Sequence, residues 1–374
     1  MSQPEAKRDA PSRPDTEPDS APWGAQPPDA IGEPVSAQVL RHQLNNAATG
    51  GIWRVRGTAG SAILKLATPP SPGRVAAWPT SDEPSYWNYW RREVLAYQTG
   101  LTATAYAAAG ITGPDLLATS ARADGSAELW LADAGPADGF GWSVPRLAEF
   151  ARQLGAAQAR WADRVPDPPW LSRRWLAQYL RHEPSRSAGI GPCDWDHPVV
   201  AAWPSRVREQ LRRLWAQRPR ALAAAEAGQR TLCHLDVWPA NLIDRDGESV
   251  LLDWAFTGDG AVGEDAANLI LDSCSDGLMD VALLPQIAAG VTDGYLAGLR
   301  DGGWTGSADS VRAAIAACGA AKYSWLGPAM AGRAIRGELG NESYGQDASA
   351  AARIERLSGL VALIADWAAI TLGD

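Results

Sequence analysis

The sequence is poor in cysteine and in lysine. Its 374 residues include four cysteines, which are scattered and form no C-x-x-C pair. A zinc module or a disulfide framework is therefore not indicated. Only three of the 34 basic residues are lysines, namely Lys7, Lys65 and Lys322. Because lysine carries a compact point charge where arginine is a planar fork, each of the three lysines invites closer inspection.

The sequence also lacks long apolar runs and an excess of positive charge. No uninterrupted apolar run reaches the roughly 18 residues of a membrane-spanning helix, and the N-terminus has no apolar segment typical of a signal peptide. The net charge is −9 and the pI is about 5.1, which disfavours a general nucleic-acid binder. We therefore expect a soluble, cytoplasmic protein without nucleic-acid or membrane partners.

Composition changes along the chain. Residues 1–36 hold eight prolines and one aromatic residue, so they predict a disordered leader that cannot bury enough apolar surface to fold. Short strands with turns between them follow, and residues 68–85 resemble a long linker. The second half is mostly helical, at 145–161 and 199–227 among others. The expected early elements are strands at Val39–Leu44, Ile52–Arg56, Ser61–Ala67 and Ala127–Ala132, and a helix at Trp87–Leu101.

The most informative segment is Thr231–Trp254. It contains His234, Asp236 and Asn241 in the order H-x-D-x-x-x-x-N. Two short apolar strands follow Asn241, and the Asp-Gly pair between them strongly indicates a hairpin. The second strand delivers Asp253 at its end.

This order of residues suits phosphoryl transfer. Because the hairpin returns the chain, the Asp253 carboxylate can face the same cavity as Asp236 and Asn241. A carboxylate and an amide oxygen suit Mg²⁺, which prefers hard oxygen ligands. The second carboxylate, Asp236, can accept a proton from a hydroxyl, and catalysis of phosphoryl transfer is mostly positioning and charge neutralisation.

The sequence His-Leu-Asp-Val-Trp-Pro-Ala-Asn, followed by Leu-Leu-Asp-Trp, resembles the aminoglycoside phosphotransferase family, which includes antibiotic kinases and related choline, sugar and homoserine kinases. The resemblance implies an α+β, bilobal protein-kinase-like fold. Residues 37–132 would form a small antiparallel-sheet N-lobe that binds the nucleotide. Residues 133–374 would form a larger, mainly helical C-lobe with the catalytic loop and the acceptor site.

The same resemblance implies transfer of the γ-phosphoryl group of ATP or GTP, with Mg²⁺, to the hydroxyl of a small molecule. The expected acceptor is an antibiotic or an amino-sugar-like natural product. One alternative is a metabolic kinase of a sugar, choline-like or amino-alcohol substrate, and another is a nucleotide-binding regulator without catalysis. The choice between monomer and homodimer stays open.

Individual roles follow from the resemblance. Asp236 would be the catalytic base, Asn241 and Asp253 would bind Mg²⁺, and His234 would hold the loop. The remaining candidates would bind the nucleotide: Lys65 paired with Glu93 (Glu83 is a weaker choice), the covering loop 45–51 with Thr49 and Gly50, and the adenine hinge 130–133 with Trp130 and Ala132.

Acceptor contacts are expected from Trp238 and Trp254, which flank the loop, and from Glu264 and Asp265, of which Asp265 matches a usually structural aspartate of the family. Residues 254–299 contain seven acidic residues and no basic one. Such a field could attract a cationic acceptor, or it could be a solvated face. The sequence departs from the family at Leu235, where glycine is common, and in the covering loop, which lacks a G-x-G-x-x-G pattern.

Overall fold

The computed structural model describes residues 21–43, 45–71, 76–137, 139–182, 193–245, 247–275, 279–338 and 349–373. Strands predominate before residue 132 and helices after it, which confirms the expected α+β class. Among these residues no helix is both long and apolar enough to cross a membrane.

The N-terminal half is built around one antiparallel sheet. Its spatial order is β1-β2-β3-β6-β5. The predicted strand Val39–Leu44 is wrong, because the edge strand lies earlier and residue 44 is outside the described part. That strand buries only Ala37 and exposes Val35 and Val39, so its apolar alternation is weak. The strands are β1 (Pro34–Val39), β2 (Thr49–Gly57), β3 (Ser61–Ala67), β5 (Leu116–Ala121) and β6 (Ala127–Ala132).

One face of this sheet packs in an apolar cluster and the other lines a cleft. Successive side chains of a strand point to opposite faces, so Ala62 and Leu64 enter an outer apolar cluster while Ile63 and Lys65 face the cleft. Trp23 packs against this outer cluster. Residues 21–36, expected to belong to a disordered leader, are therefore partly ordered, whereas residues 1–20 lie outside the described part.

The predicted helix Trp87–Leu101 is shorter than expected and divided. It consists of α1 (Arg92–Gln98) and α2 (Leu101–Thr104), separated at Gly100, whose φ is +72°. The guanidinium of Arg92 is buried and donates to five carbonyl oxygens, those of Pro84, Tyr86, Trp87, Trp170 and Ala255. These bonds hold residues 84–87 in turns, so the helix begins only at Arg92.

The C-terminal half consists of helices and two small sheets. The predicted hairpin is present as two antiparallel strands, although Asp246 of its turn is outside the described part. The sheet orders are β4-β10-β9 and β7-β11-β8. The strands are β4 (Ile111–Thr112), β7 (Ser172–Arg173), β8 (Arg230–Cys233), β9 (Leu242–Arg245), β10 (Glu248–Leu251) and β11 (Gly258–Ala261). The helices are α3 (Val144–Ala159), α4 (Trp175–His182), α5 (Ser205–Ala216), α6 (Arg218–Glu226), α7 (Glu264–Ser275), α8 (Leu284–Asp301), α9 (Ala308–Lys322), α10 (Leu326–Ile335), α11 (Ala350–Arg356) and α12 (Ser358–Leu372).

Helices α3 and α8 pack backbone to backbone through glycines. A Cβ at Gly298 would lie 1.8 Å from the carbonyl oxygen of Arg152, and one at Gly294 would lie 2.2 Å from that of Ala148. Helix α3 carries Gln158, which is buried and donates to Asp265 at 2.7 Å. The close packing of α8 on α3 therefore fixes a support of the segment that follows β8.

We predict that Gly298→Ala lowers the free energy of unfolding by about 1–3 kcal/mol, because an added methyl overpacks the interface. Gly290→Ala is the matched control on the same helix, since its Cβ would meet side-chain carbons at 3.4 Å. Alanine is the better helix former by about 1 kcal/mol, so this control should be neutral or stabilising. Urea unfolding measures both variants. Equal stability of the two would contradict the packing described.

Candidate active site

A cavity of about 640 Å³ lies between the sheet of the N-lobe and the helices of the C-lobe. Eight of the residues predicted from the sequence line it. They are Thr49, Lys65, Glu93, Ala132, Asp236, Trp238, Asn241 and Asp253.

The loop after β8 is fixed by the buried carboxylate of Asp265. One oxygen of Asp265 accepts the backbone N–H of His234 at 2.8 Å, and the other accepts that of Leu235 at 2.7 Å. Leu235 has a φ of +71°, a conformation that favours glycine and is strained for leucine. The Asp265 bond and the full burial of the Leu235 side chain hold this strained conformation.

Asp236, Asn241 and Asp253 line the same cavity. The Asn241 side-chain amide donates to the backbone oxygen of Asp236 at 2.9 Å and to its carboxylate at 3.1 Å. The backbone N–H of Leu252 donates to the carbonyl oxygen of Asn241 at 2.8 Å, which brings the end of the hairpin to the loop. Asp253 has a φ of +58°, which aspartate tolerates better than most residues.

Lys65 joins the two lobes through two carboxylates. Its Nζ lies 2.6 Å from Oε2 of Glu93 on α1 and 2.8 Å from Oδ1 of Asp253. Glu93 therefore pairs with Lys65. The neighbouring Arg92 is buried among backbone carbonyl oxygens. Glu83, the weaker candidate, bonds to Ser85 at an exposed position.

Burial and charge shift the pKa values of these groups. Burial alone would lower the pKa of Lys65, but the Asp253 and Glu93 carboxylates outweigh it and raise that pKa. Burial raises the pKa of Glu93 to about 7, against the opposing charge of Lys65. Burial and then the Asp253 charge raise the pKa of Asp236 to about 7. Burial alone would raise the pKa of Asp253, but the charge and hydrogen bond of Lys65, together with smaller contributions from His234 and a backbone N–H, outweigh it and lower that pKa.

His234 is a buried, neutral connector. Burial lowers its pKa to about 4, so the ring is uncharged at neutral pH. Its Nδ1 accepts the backbone N–H of Asp236 at 3.3 Å, so Nε2 carries the proton and donates to the carbonyl oxygen of Leu252 at 2.9 Å. The ring stands edge-on to Trp254, with centroids 5.0 Å apart. His234 thus links the loop to the end of the hairpin.

The covering loop differs from the expectation. Its N–H groups already have partners in the protein: Ala47 donates to Trp78, and both Ala48 and Thr49 donate to Asn46. Thr49 lines the cavity at the start of β2, but Gly50 does not. The chain instead brings Arg41 and His42 to this end of the cavity. Neither residue was expected in the site from the sequence, where both fall in the predicted strand Val39–Leu44.

The hinge is also different in detail. Leu131, Ala132 and residues 134–137 line the cavity, but Trp130 does not. Its side chain points to the outer face of the sheet and packs on Trp23, with centroids 6.1 Å apart. Strand alternation makes this necessary, because Leu131 faces inward. The apolar slot beside the hinge is lined by Ile52, Ile63, Leu131, Ile243 and Leu252.

Three of the four predicted acceptor residues do not reach the cavity. Trp254 is fully buried, and its indole N–H donates to the carbonyl oxygen of Leu251 at 2.8 Å. Glu264 is buried and accepts the backbone N–H of Ala261 at 2.9 Å, while Asp265 supports the loop. Only Trp238 lines the cavity.

One part of the cavity lining is mainly aromatic. Five rings, which we call the aromatic wall, contact one another there and line it. Trp175 and Tyr179 stack with centroids 4.7 Å apart, and Trp87 stacks on Phe256 at 5.8 Å. The wall consists of Trp78, Trp87, Trp175, Tyr179 and Phe256. Its members come from distant parts of the chain, so no local pattern could have identified them.

The acidic side chains of residues 254–299 do not cluster around the cavity. Of its described acids only Asp272 lines the cavity. Asp259 pairs with Arg230, Asp280 caps the turn that begins at Val281, and Asp293 pairs with Arg312 at the surface. Asp276 is outside the described part. These charges therefore give no support to a polycationic acceptor.

A charged pair between the lobes, a loop with an aspartate and an asparagine, and a second aspartate on a returning strand define the site of a phosphotransferase. The profile described as the phosphotransferase enzyme family, APH, matches residues 52–305. The match spans more than half of the chain and includes Lys65, Glu93, Asp236, Asn241 and Asp253. The chain belongs to this family, and it is a small-molecule kinase. No curated protein matches the sequence closely enough to count as a relative.

Three solved structures illustrate the similarity. An amicoumacin kinase in complex with AMP-PNP, Ca²⁺ and Ami is 14% identical, covers 87% of this chain and of its own, and has a TM-score of 0.48. An aminoglycoside phosphotransferase from Streptomyces rimosus is 18% identical, covers 76% and 93%, and has a TM-score of 0.43. A choline kinase from Streptococcus pneumoniae is 14% identical, covers 89% and 95%, and has a TM-score of 0.46. At these identities the likenesses assign no substrate.

We predict that Asp265→Asn lowers the free energy of unfolding by about 2–3 kcal/mol, since one buried N–H of the loop would then face an amide donor. The matched control is Asp293→Asn, whose exposed ion pair should contribute less than about 1 kcal/mol. Urea unfolding of both variants measures the difference. If Asp265→Asn is as stable as the control, Asp265 does not hold the loop.

Proposed function

We propose that this protein transfers the γ-phosphoryl group of ATP or GTP to a hydroxyl group of a small molecule, using Mg²⁺. The observation that carries the proposal is the convergence of Asp236, Asn241 and Asp253 in one cavity with the Lys65–Glu93 pair. Family membership supports the class of reaction. The identity of the metal, the choice of nucleotide and the role of each residue belong to the proposal.

The donor atoms fit Mg²⁺. Both contacts of the Asn241 side-chain nitrogen go to Asp236, so the amide oxygen is the atom that would hold a cation. Asp253 would supply a carboxylate oxygen. Among the described residues no group of three or more His, Cys, Asp or Glu could hold a metal. This agrees with Mg²⁺, which proteins usually hold by one or two side chains together with substrate phosphates and water. When bound, the ion would neutralise phosphate charge.

The remaining residues would position the reactants. Lys65 would hold phosphate oxygens, and Glu93 keeps its ammonium in place and charged. The raised pKa of Asp236 makes its carboxylate a better proton acceptor than an exposed aspartate. Asp236 would accept the proton of the acceptor hydroxyl as the oxygen attacks the γ-phosphorus, while the bond from that phosphorus to the β–γ bridging oxygen breaks and the nucleoside diphosphate leaves. His234, which stays neutral, would keep the loop in register.

For the acceptor we propose an antibiotic or another natural product with an apolar or aromatic body. The aromatic wall supports this choice, because its rings give the cavity an apolar lining against which such a body can pack. A polyamine sugar fits less well, since the acidic stretch is engaged elsewhere. A metabolic acceptor such as a sugar or a choline-like amino alcohol stays the second candidate, because family membership alone does not separate the two classes of acceptor.

The test compares the wild type with Asp236→Ala on a panel of hydroxyl compounds that includes antibiotics, sugars and choline. Mass spectrometry detects the gain of one phosphate. We predict that the wild type phosphorylates at least one compound, and that Asp236→Ala is about 10²–10⁴-fold slower because the proton acceptor is lost. Binding of Mg²⁺–AMP-PNP, measured by calorimetry, should be retained.

Asp293→Asn serves as the control, because it changes an aspartate at an exposed position far from the cavity. It should match the wild type in rate and binding. Unchanged turnover in Asp236→Ala would refute the assignment of Asp236. Tight Mg²⁺–AMP-PNP binding without transfer to any compound would instead favour a nucleotide-binding regulator.

A further inference from the structure

Lys322 is a buried cation that the proposed reaction does not use. It is the last residue of α9 and is 8% exposed. It lines the acceptor end of the cavity, and its charge acts on Asp236. The only other lysine among the described residues is Lys65, which sits at the nucleotide end.

The ammonium group of Lys322 lies among aromatic rings and a carboxylate, which are the groups that bind a cationic ligand. Its Nζ lies 5.4 Å from the ring centroid of Trp175 and 5.5 Å from that of Tyr323. It lies 3.6 Å from Oδ2 of Asp272, whose other oxygen accepts a bond from Ser275. Aromatic faces beside a carboxylate are what an ammonium ligand needs. Here the protein supplies the ammonium itself, so a cationic acceptor would meet a like charge.

The balance of charge in the cavity points the same way. The described side chains that line it include six lysines and arginines against four carboxylates. Two of the carboxylates, Glu93 and Asp253, pair with Lys65, and Asp272 pairs with Lys322. The excess of positive charge favours a ligand with negative charge.

We infer that Lys322 is a specificity-determining residue of the acceptor site, which takes hydroxyl compounds with an aromatic or apolar body and an anionic group, and rejects cationic ones. The inference rests on the proposed function, because it treats this end of the cavity as the acceptor site. The aromatic wall would hold the body of the ligand, and Lys322 would hold a carboxylate or another anion. The Asp272 carboxylate partly offsets the positive charge of Lys322 and orients its side chain.

The test uses three binding probes with the same phenyl ring and different charge. They are phenylacetate, 2-phenylethanol and phenethylamine, which are anionic, neutral and cationic at pH 7. Calorimetry or quenching of tryptophan fluorescence, with the full chain and Mg²⁺–AMP-PNP present, gives a Kd for each. We predict that phenylacetate binds the wild type about tenfold more tightly than phenethylamine, the ratio expected for one partly screened charge contact.

Two variants should move this ratio in opposite directions. Lys322→Gln should remove the preference for phenylacetate and improve binding of phenethylamine, because Asp272 loses its partner. Asp272→Asn should increase the preference for phenylacetate, because Lys322 is released. A general defect in folding would weaken all three probes and would not reverse the ratio. Arg312→Gln is the matched control, since it removes a positive charge from the exposed side of the same helix and should leave the ratio unchanged.

The inference is overturned if phenethylamine binds the wild type as tightly as phenylacetate, if Lys322→Gln leaves the ratio unchanged, or if none of the probes binds at millimolar concentration. These outcomes are separate from those of the proposed function. A charge preference with an active Asp236→Ala variant would refute the proposed catalysis alone. Transfer that depends on Asp236, with no charge preference, would refute the role of Lys322 alone.

Discussion

The site depends on one buried ammonium group that lies between two carboxylates. Lys65 comes from strand β3, Glu93 from helix α1 after the linker, and Asp253 from the end of the β9–β10 hairpin. A charge taken out of water must be paired, and removal of one partner leaves an uncompensated charge. The three residues therefore fix the distance between the lobes as well as the electrostatics of the cleft. Any bound triphosphate would compete for the same ammonium.

A second constraint supports the first. Asp265 accepts backbone hydrogen bonds from the loop after β8 and is itself held by Gln158. The His234 ring bonds this loop to the hairpin that carries Asp253. The loop includes Leu235 in a strained conformation, and such strain persists only where the surroundings determine it. Asp265, Gln158 and His234 thus position other residues, and none of the three lines the cavity.

The local part of this site was predictable from the sequence. The spacing of His234, Asp236 and Asn241 and the following hairpin are short-range features, and the structure places them as expected. The Lys65–Glu93 pair is long-range and followed only from the family resemblance. Strand alternation places Trp130 and Leu131 on opposite faces of the sheet. The sequence alone does not say which of the two faces the cavity. The hydrogen bonds that occupy the covering loop depend on Trp78, which lies beyond a linker.

The proposed acceptor site was largely unpredictable, because residues far apart in the sequence form its lining. Trp78, Trp87, Trp175, Tyr179 and Phe256 are separated by up to 178 positions and meet only in the folded chain. The acidic stretch was a misleading signal, since ion pairs and caps engage its members. Lys322 carried a weak signal, because lysine is so rare in this sequence. The cavity therefore has an aromatic wall beside the Lys322 ammonium, where the sequence had suggested a cluster of acidic side chains.

A crystal structure with Mn²⁺ and AMP-PNP would test the central claim most directly. Anomalous scattering would locate the metal without reference to the protein. The account predicts manganese bound by the side-chain oxygens of Asn241 and Asp253, with the triphosphate against Lys65 and its γ-phosphate facing Asp236. Manganese and triphosphate bound away from these four residues would contradict it.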